Sequence, residues 1–109
     1  MSRDRIYGML GIAAKAGAVS GGAVAFESTV KSGKACIAVM AKDVSENTAD
    51  RYRGMCFGYG IPLYEYGTKE ALGHAVGKGE RAALTVTDES LARAVEKLLR
   101  SVQDGEETI

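Results

Sequence analysis

The chain has 109 residues, of which 46% are hydrophobic and 26% charged, a balance typical of one globular domain that folds without disulfides. It contains no run of about eighteen apolar residues, so the sequence predicts no membrane-spanning helix. The first five residues lack the apolar core of a signal peptide, and the two cysteines do not have CxxC spacing. We therefore expect a cytoplasmic protein with neither a zinc site nor a disulfide framework.

The net charge of zero hides an uneven distribution of charge along the chain. Residues 1–87 carry eleven Lys and Arg against eight Asp and Glu, whereas residues 88–109 carry three against six. The body of the protein is therefore mildly basic. Such a surplus is compatible with RNA binding but is much weaker than the basic stripe of a strong nucleic-acid binder.

Apolar spacing and glycine stops predict two helices and a short strand in the first third of the chain. Ser2 is placed to cap a first helix that ends at Gly17, and a very short strand is expected over 18–20. A Ser20-Gly21-Gly22 turn then leads into a second helix that ends at Gly33. Consecutive glycines before a helix leave backbone N–H groups bare at the positive end of the helix dipole. This turn is therefore a candidate site for an anionic partner such as RNA.

The rest of the chain continues this alternation. The predicted elements are a strand over 35–41 that is apolar on both faces, a helix opened by Ser45 or Asn47 and closed by Gly60, a strand over 61–66, a helix from Thr68 to Gly77, a strand over 81–87, and a last helix capped by Asp88. Asp43, Glu46 and Asp50 are interpreted as carboxylates that favour the N-terminal end of the third helix. The alternation predicts one α/β/α domain over residues 1–103, with the acidic residues 104–109 as a frayed tail.

The sequence contains no complete signature of a catalytic site or a metal site. Gly73 to Gly79 is similar to a phosphate loop, but its glycine spacing is one residue short and Gly79 stands where Ser or Thr would hold magnesium. The only histidine, His74, has no second His or Cys nearby to share a metal ion. The apolar neighbours of Cys36 and Cys56 predict unreactive thiols. We predict no catalytic residue, no metal, no cofactor and no small-molecule substrate.

Short motifs in a fixed order resemble one protein family. They are Leu10-Gly11-Ile12-Ala13-Ala14-Lys15-Ala16-Gly17, Lys31-Ser32-Gly33-Lys34-Ala35, Ala41-Lys42-Asp43-Val44-Ser45, Cys56, Gly60-Ile61-Pro62, Leu72-Gly73-His74-Ala75-Val76-Gly77-Lys78 and Thr87-Asp88. From Arg5 to Leu99 the chain resembles the L7Ae/L30e superfamily of ribosomal and kink-turn-binding RNA proteins, most closely its bacterial YlxQ-like branch of probable ribosomal proteins. The resemblance implies a three-layer α/β/α sandwich around a four-stranded mixed sheet. It also implies an RNA partner and no catalysis.

The resemblance implies a site at the glycine turn. In kink-turn binders of this family, the turn and the start of the second helix enter the major groove of a bent RNA, where an Asn, a Glu and a Lys contact sheared G·A pairs. Here Gly22 matches the turn glycine, whereas Val24 stands at the Asn position, Ala25 at the Glu position and Ser28 at the Lys position. Because valine and alanine have no side-chain donor or acceptor, they cannot hydrogen-bond a base edge.

Cations near the turn are expected to contact phosphates without recognising sequence. We expect Lys15, Lys34 and Lys42 around the turn, and Lys78 and Arg81 in the loop over 77–81. The candidate RNA-binding residues are therefore Lys15, Gly21, Gly22, Val24, Ala25, Ser28, Lys34, Lys42, Lys78 and Arg81.

Two functions are left open by the sequence. The first is a non-enzymatic RNA-binding protein that contacts structured RNA through the Gly21-Gly22 turn and the loop at Lys78. The alternative is a protein–protein interaction scaffold on the same fold, in which Val24, Ala25 and Phe26 form a small apolar patch at the former RNA surface. A small enzyme is a third hypothesis, but no group of residues in the sequence supplies an acid, a base and a nucleophile.

Overall fold

The computed structural model describes residues 4–103, which form a four-stranded mixed sheet between two layers of helices. The elements are α1 (Arg5–Lys15), β1 (Val19–Gly21), α2 (Ala23–Lys31), β2 (Ile37–Met40), α3 (Glu46–Gly58), β3 (Leu63–Glu65), α4 (Lys69–Ala75), β4 (Ala83–Val86) and α5 (Glu89–Gln103). This confirms the predicted α/β/α sandwich and its four-stranded mixed sheet. The predicted tail over 104–109 lies outside the described residues. Within residues 4–103 no helix is both long and apolar enough to cross a membrane.

The strand order β1-β4-β2-β3 decides which loops meet. β2 pairs parallel with β3, and β4 pairs antiparallel with both β1 and β2. β1, β2 and β3 therefore run in one direction and β4 in the other. We call the end of the sheet where β1, β2 and β3 finish the carboxyl end, and the opposite end the amino end. The segment that precedes β4 lies at the carboxyl end.

The core lies on both faces of the sheet because β2 is buried on both. Ile37 and Val39 face the layer formed by α1, α4 and α5, whereas Ala38 and Met40 face α2 and α3. All four residues are at most 1% exposed. The continuous apolar run over 35–41 predicted this two-sided burial, and the prediction is confirmed.

Three of the four helix caps predicted from the sequence are confirmed. Ser45 accepts a hydrogen bond from the N–H of Thr48, and Thr68 and Asp88 cap α4 and α5 in the same way. The predicted cap at Ser2 is wrong, because α1 begins after Asp4, whose carboxylate accepts from the N–H of Tyr7 at 2.9 Å.

The predicted strands over 35–41, 61–66 and 81–87 are each longer than the observed ones. Their flanking residues are joined to the sheet by single hydrogen bonds. The N–H of Tyr66 donates to the carbonyl of Met40 at 2.8 Å, and the N–H of Ala41 donates to the carbonyl of Ala82 at 2.8 Å. The difference is therefore one of strand boundaries and not of fold.

Candidate nucleic-acid interface

The segment predicted as a glycine turn is mostly strand. Ser20 and Gly21 belong to β1 and stand opposite Thr85 and Leu84 of β4, so the prediction of a turn is wrong for these two residues. Gly22 alone joins β1 to α2, with a φ of +89° that favours glycine. No side chain caps α2, so the positive end of its dipole is left without a carboxylate or hydroxyl partner.

Two hydroxyls fix the start of α2 against β1. Oγ1 of Thr29 lies within hydrogen-bond distance of two acceptors. These are Oγ of Ser20, at 2.9 Å, and the carbonyl oxygen of Ala25, at 2.8 Å. Oγ of Ser20 lies 3.4 Å from the same carbonyl. The first turn of α2 is therefore held at a defined angle to the sheet. No sequence pattern predicts this contact, because Ser20 and Thr29 belong to different elements and no motif links them.

The exposed side of the first turns of α2 carries the residues that differ from the kink-turn pattern. Val24 is 83% exposed, and Ala25 and Ser28 are also exposed. Phe26 is fully buried, with its ring centroid 4.6 Å from that of Tyr52. The predicted apolar patch is therefore wrong for Phe26, which belongs to the core.

The loop between α4 and β4 is folded back onto α4. Gly73 lies inside α4, and a Cβ atom at this position would lie 1.9 Å from the carbonyl oxygen of Gly79. The N–H of Lys78 donates to the carbonyl of Gly73 at 2.8 Å. The loop thus packs on the backbone of α4, and the side chain of Lys78 is exposed. Because Gly73 is helical, this segment is not a phosphate loop, and His74 is an exposed residue of α4.

Arg81 brings this loop next to the end of β1. Its Cδ and Nε atoms lie 3.2 Å and 3.4 Å from the point where a Cβ of Gly21 would be, so the arginine stem occupies the space that glycine leaves. Its Nη1 donates to the carbonyl of Glu80 at 2.9 Å and lies 3.4 Å from that of Gly79. Part of the guanidinium therefore stabilises the loop, and Arg81 is half-buried.

Lys42 follows β2 at the same carboxyl end and is exposed. Its N–H donates to the carbonyl of Gly67 at 2.8 Å, and the carboxylate of Asp43 accepts from the N–H of Lys69 at 2.9 Å. Asp43 therefore accepts from the first N–H of α4, whose N-cap is Thr68, and does not serve α3, which corrects the interpretation of its role. Glu46 lies in the first turn of α3, as predicted.

Lys15 and Lys34 lie at the amino end, away from Gly22. Lys15 is the last residue of α1, shortly before β1, and Lys34 precedes β2. The prediction that these two lysines surround the turn together with Lys42 is wrong, because the starts and the ends of parallel strands lie at opposite ends of a sheet. The structure brings together Gly21, Gly22, Val24, Ala25, Ser28, Lys42, Lys78 and Arg81 at or near the carboxyl end.

The two thiols are shielded to different degrees, because Cys56 is buried and Cys36 is half-buried. Burial raises the pKa of Cys56 to about 11, and burial together with the nearby carboxylates of Glu89 and Asp88 raises the pKa of Cys36. Within the described residues, no three His, Cys, Asp or Glu side chains are grouped so that they could hold a metal ion.

At about pH 8, we expect Cys56 in the folded protein to react with iodoacetamide at least about 100-fold more slowly than in urea, because only the thiolate attacks and its fraction falls with the raised pKa. Timed alkylation followed by mass spectrometry measures both cysteines in one sample. Equal rates for Cys56 in the folded and unfolded chain would contradict its burial in the α2–α3 layer.

Comparison with known proteins gives the chain a family. Residues 4–96 match the Ribosomal protein L7Ae/L30e/S12e/Gadd45 family. The chain is 28% identical over 99 residues to the RNA-binding protein YlxQ of Bacillus subtilis strain 168, across 91% of this chain and 99% of the relative. A protein of unknown function from Bacillus halodurans has a similar structure, with a TM-score of 0.83 and 27% identity over 88% of this chain and 97% of that one.

A more distant structure shares the fold. The Giardia lamblia 15.5kD RNA binding protein superposes with a TM-score of 0.74 at 19% identity, over 95% of this chain and 92% of that one. These matches confirm the resemblance that the motifs indicated. The chain belongs to the Ribosomal protein L7Ae/L30e/S12e/Gadd45 family.

Proposed function

We propose that this chain binds structured RNA with the carboxyl end of its sheet, without catalysis and in the cytoplasm. The observation that carries the proposal is the junction of β1 and α2, where the uncapped start of α2 lies beside the loop that contains Lys78 and Arg81. Family membership supports it, as does the relative named as an RNA-binding protein.

The side chains at this junction favour contacts to the RNA backbone over contacts to bases. The N–H groups of a helix start and nearby lysines attract phosphates of any sequence. Val24 and Ala25 offer no hydrogen bond, and the hydroxyl of Ser28 is too short to replace a lysine at the same position. We therefore propose that the protein recognises the shape of a folded RNA, with weak discrimination of the sheared G·A pairs in a kink-turn.

The lysines at the two ends of the sheet should differ in their effect on RNA affinity. We expect the double variant Lys42→Ala/Lys78→Ala to bind a kink-turn RNA about tenfold more weakly than the wild type, because it loses two phosphate contacts. Lys15→Ala/Lys34→Ala removes the same charge at the amino end and should stay within about twofold. Fluorescence anisotropy over a range of salt concentrations measures affinity and the number of phosphate contacts together.

Two results would contradict the proposal. Absence of binding to kink-turn, ribosomal and total cellular RNA at low salt would show that RNA is not the partner. An equal loss in both double variants would show that charge acts without a defined interface at the carboxyl end.

The alternative scaffold function rests on the 83% exposure of Val24. A protein partner that covers this side chain would be captured from cell extract by the wild type and not by Val24→Ser, even after nuclease treatment. Capture that depends on RNA would favour the RNA interface, because the same surface would then act through nucleic acid.

A further inference from the structure

The outward face of α5 carries three cations at helical spacing. Arg93, Lys97 and Arg100 are all exposed, whereas Val95 and Leu99 on the opposite face are at most 2% exposed. Residues three and four apart on a helix lie about 5–6 Å from one another at Cβ. The three positive charges therefore form a row about 10 Å long, set by the rise of 1.5 Å per residue.

The carboxylate within this row is turned toward the sheet. The side chain of Glu96 is 22% exposed and accepts a hydrogen bond from the hydroxyl of Tyr64 at 2.7 Å. Nε of Arg100 donates to the same hydroxyl at 3.2 Å, and its Nη2 lies 3.4 Å from Glu96. Glu96 is thus engaged with Tyr64 and Arg100 and forms no ion pair with Arg93 or Lys97.

Arg93 and Lys97, like Lys15, Lys34, Lys42 and Lys78, have no ion-pair partner within residues 4–103, whereas Lys31 and Arg53 are each paired with a carboxylate. Lys31 lies 2.6 Å from Glu27, and Arg53 lies 2.7 Å from Glu65. A solvent-facing helix surface normally mixes both signs of charge, which lowers its attraction for polyanions. As far as residues 4–103 are concerned, Arg93 and Lys97 are therefore available to an external anion.

These cations line a shallow groove. Its lining residues, Arg93, Ala94, Glu96, Lys97 and Arg100, all belong to α5, so it is an open depression along one helix and not an enclosed pocket. An elongated surface with a row of cations suits a polyanionic backbone, in which negative charges repeat at short intervals.

The groove is separate from the carboxyl-end interface. α5 packs in the helix layer with α1 and α4, whereas α2 lies in the layer on the other face of the sheet. An RNA segment on α5 is therefore not the segment that meets the start of α2.

We propose that the outward face of α5 is a second contact surface for the phosphate backbone of RNA, which would let the protein hold two segments of one folded RNA. This inference rests on the proposed function in that the polyanion is RNA. An arginine and a lysine that have no ion-pair partner in the described part of the chain, flanked by a third cation, would contact phosphates in any sequence context.

The test compares the variant Arg93→Gln/Lys97→Gln with the wild type on one large ribosomal RNA fragment. Both substitutions keep a good helix former at an exposed position, so the fold is retained, which circular dichroism checks. We expect affinity to fall about three- to tenfold and the salt slope to fall by about 0.7–0.9 for each cation removed. Lys15→Gln/Lys34→Gln is the matched control with the same change in net charge.

A second measurement locates the contact. In the wild type, a short RNA duplex without internal loops should shift the amide NMR signals of residues 93–100, and these shifts should disappear in the α5 variant. The α5 variant could bind with the affinity and salt slope of the wild type while Lys42→Ala/Lys78→Ala still weakens binding. That result would overturn the proposed contact at α5 and leave the proposed function intact. If the wild-type protein binds none of these RNAs at low salt, the proposed function and the α5 surface are both wrong.

Discussion

Replacing Gly73 by alanine should lower the free energy of unfolding by about 2 kcal/mol. The new Cβ atom would lie 1.9 Å from the carbonyl oxygen and 2.6 Å from the carbonyl carbon of Gly79, and both belong to the backbone. A backbone cannot rotate out of the way as a side chain can, so the loop before β4 must move. Overpacking typically costs about 1–3 kcal/mol, and a clash with backbone atoms belongs at the upper end of that range. Subtracting the gain of about 1 kcal/mol that alanine brings to a helix leaves a net loss of about 2 kcal/mol. Urea unfolding followed by circular dichroism measures the difference.

The matched control is Gly54→Ala in α3. Gly54, like Gly73, lies inside a helix. It is exposed, and a Cβ atom there would meet no atom within 4 Å. We expect Gly54→Ala to raise the free energy of unfolding by about 0.5–1 kcal/mol. A loss of stability in both variants, or in neither, would contradict the close packing of the loop on α4. Since Lys78 and Arg81 belong to that loop, Gly73→Ala should also weaken RNA binding under conditions where the protein is fully folded.

The helices and strands could be predicted because their signals are local. A run of apolar residues from 35 to 41 is enough to indicate a strand buried on both faces. Ser45, Thr68 and Asp88 are recognisable caps because the group that each one satisfies lies three residues further along the chain. Burial of Phe26 also follows from its helical spacing with Val30 on the apolar face of α2.

The arrangement of the site could not be predicted because it depends on strand direction. Lys34 and Lys42 are close in sequence but stand at opposite ends of β2. Likewise Gly21 serves as a strand residue only because β4, some sixty residues later, pairs with it. The cations of α5 did not stand out in the sequence for another reason: residues 88–109 carry three Lys and Arg against six Asp and Glu, which indicates an acidic region.

The variant Val24→Asn/Ala25→Glu/Ser28→Lys should acquire kink-turn recognition. Its preference is the ratio of its affinity for a kink-turn RNA to its affinity for the same RNA with Watson–Crick pairs in place of the G·A pairs. We expect this ratio to rise about 100-fold over that of the wild type. A factor of 100 is about 2.7 kcal/mol, within reach of three new side chains when one bidentate contact to a base contributes about 1–3 kcal/mol. All three positions are exposed on α2, so the substitutions displace no packed atom. Glu at position 25 also lies near the positive end of the helix dipole, where a carboxylate is favourable. Titration of both RNAs by fluorescence anisotropy gives the preference directly.

The control variant Val24→Thr/Ala25→Gln/Ser28→Met places side chains of similar size at the same positions without the Asn, Glu and Lys groups. It should keep the weak preference of the wild type, because threonine, glutamine and methionine do not reproduce the donor and acceptor pattern that the G·A pairs require. If the Asn-Glu-Lys variant gains no preference while its free energy of unfolding is unchanged, the start of α2 does not face RNA and the carboxyl-end interface is wrong. A gain that also requires Lys42 and Lys78 would instead show that phosphate contacts from the two neighbouring loops act together with base contacts from α2. In that case the present chain has the scaffold of a kink-turn binder without its base-contacting side chains.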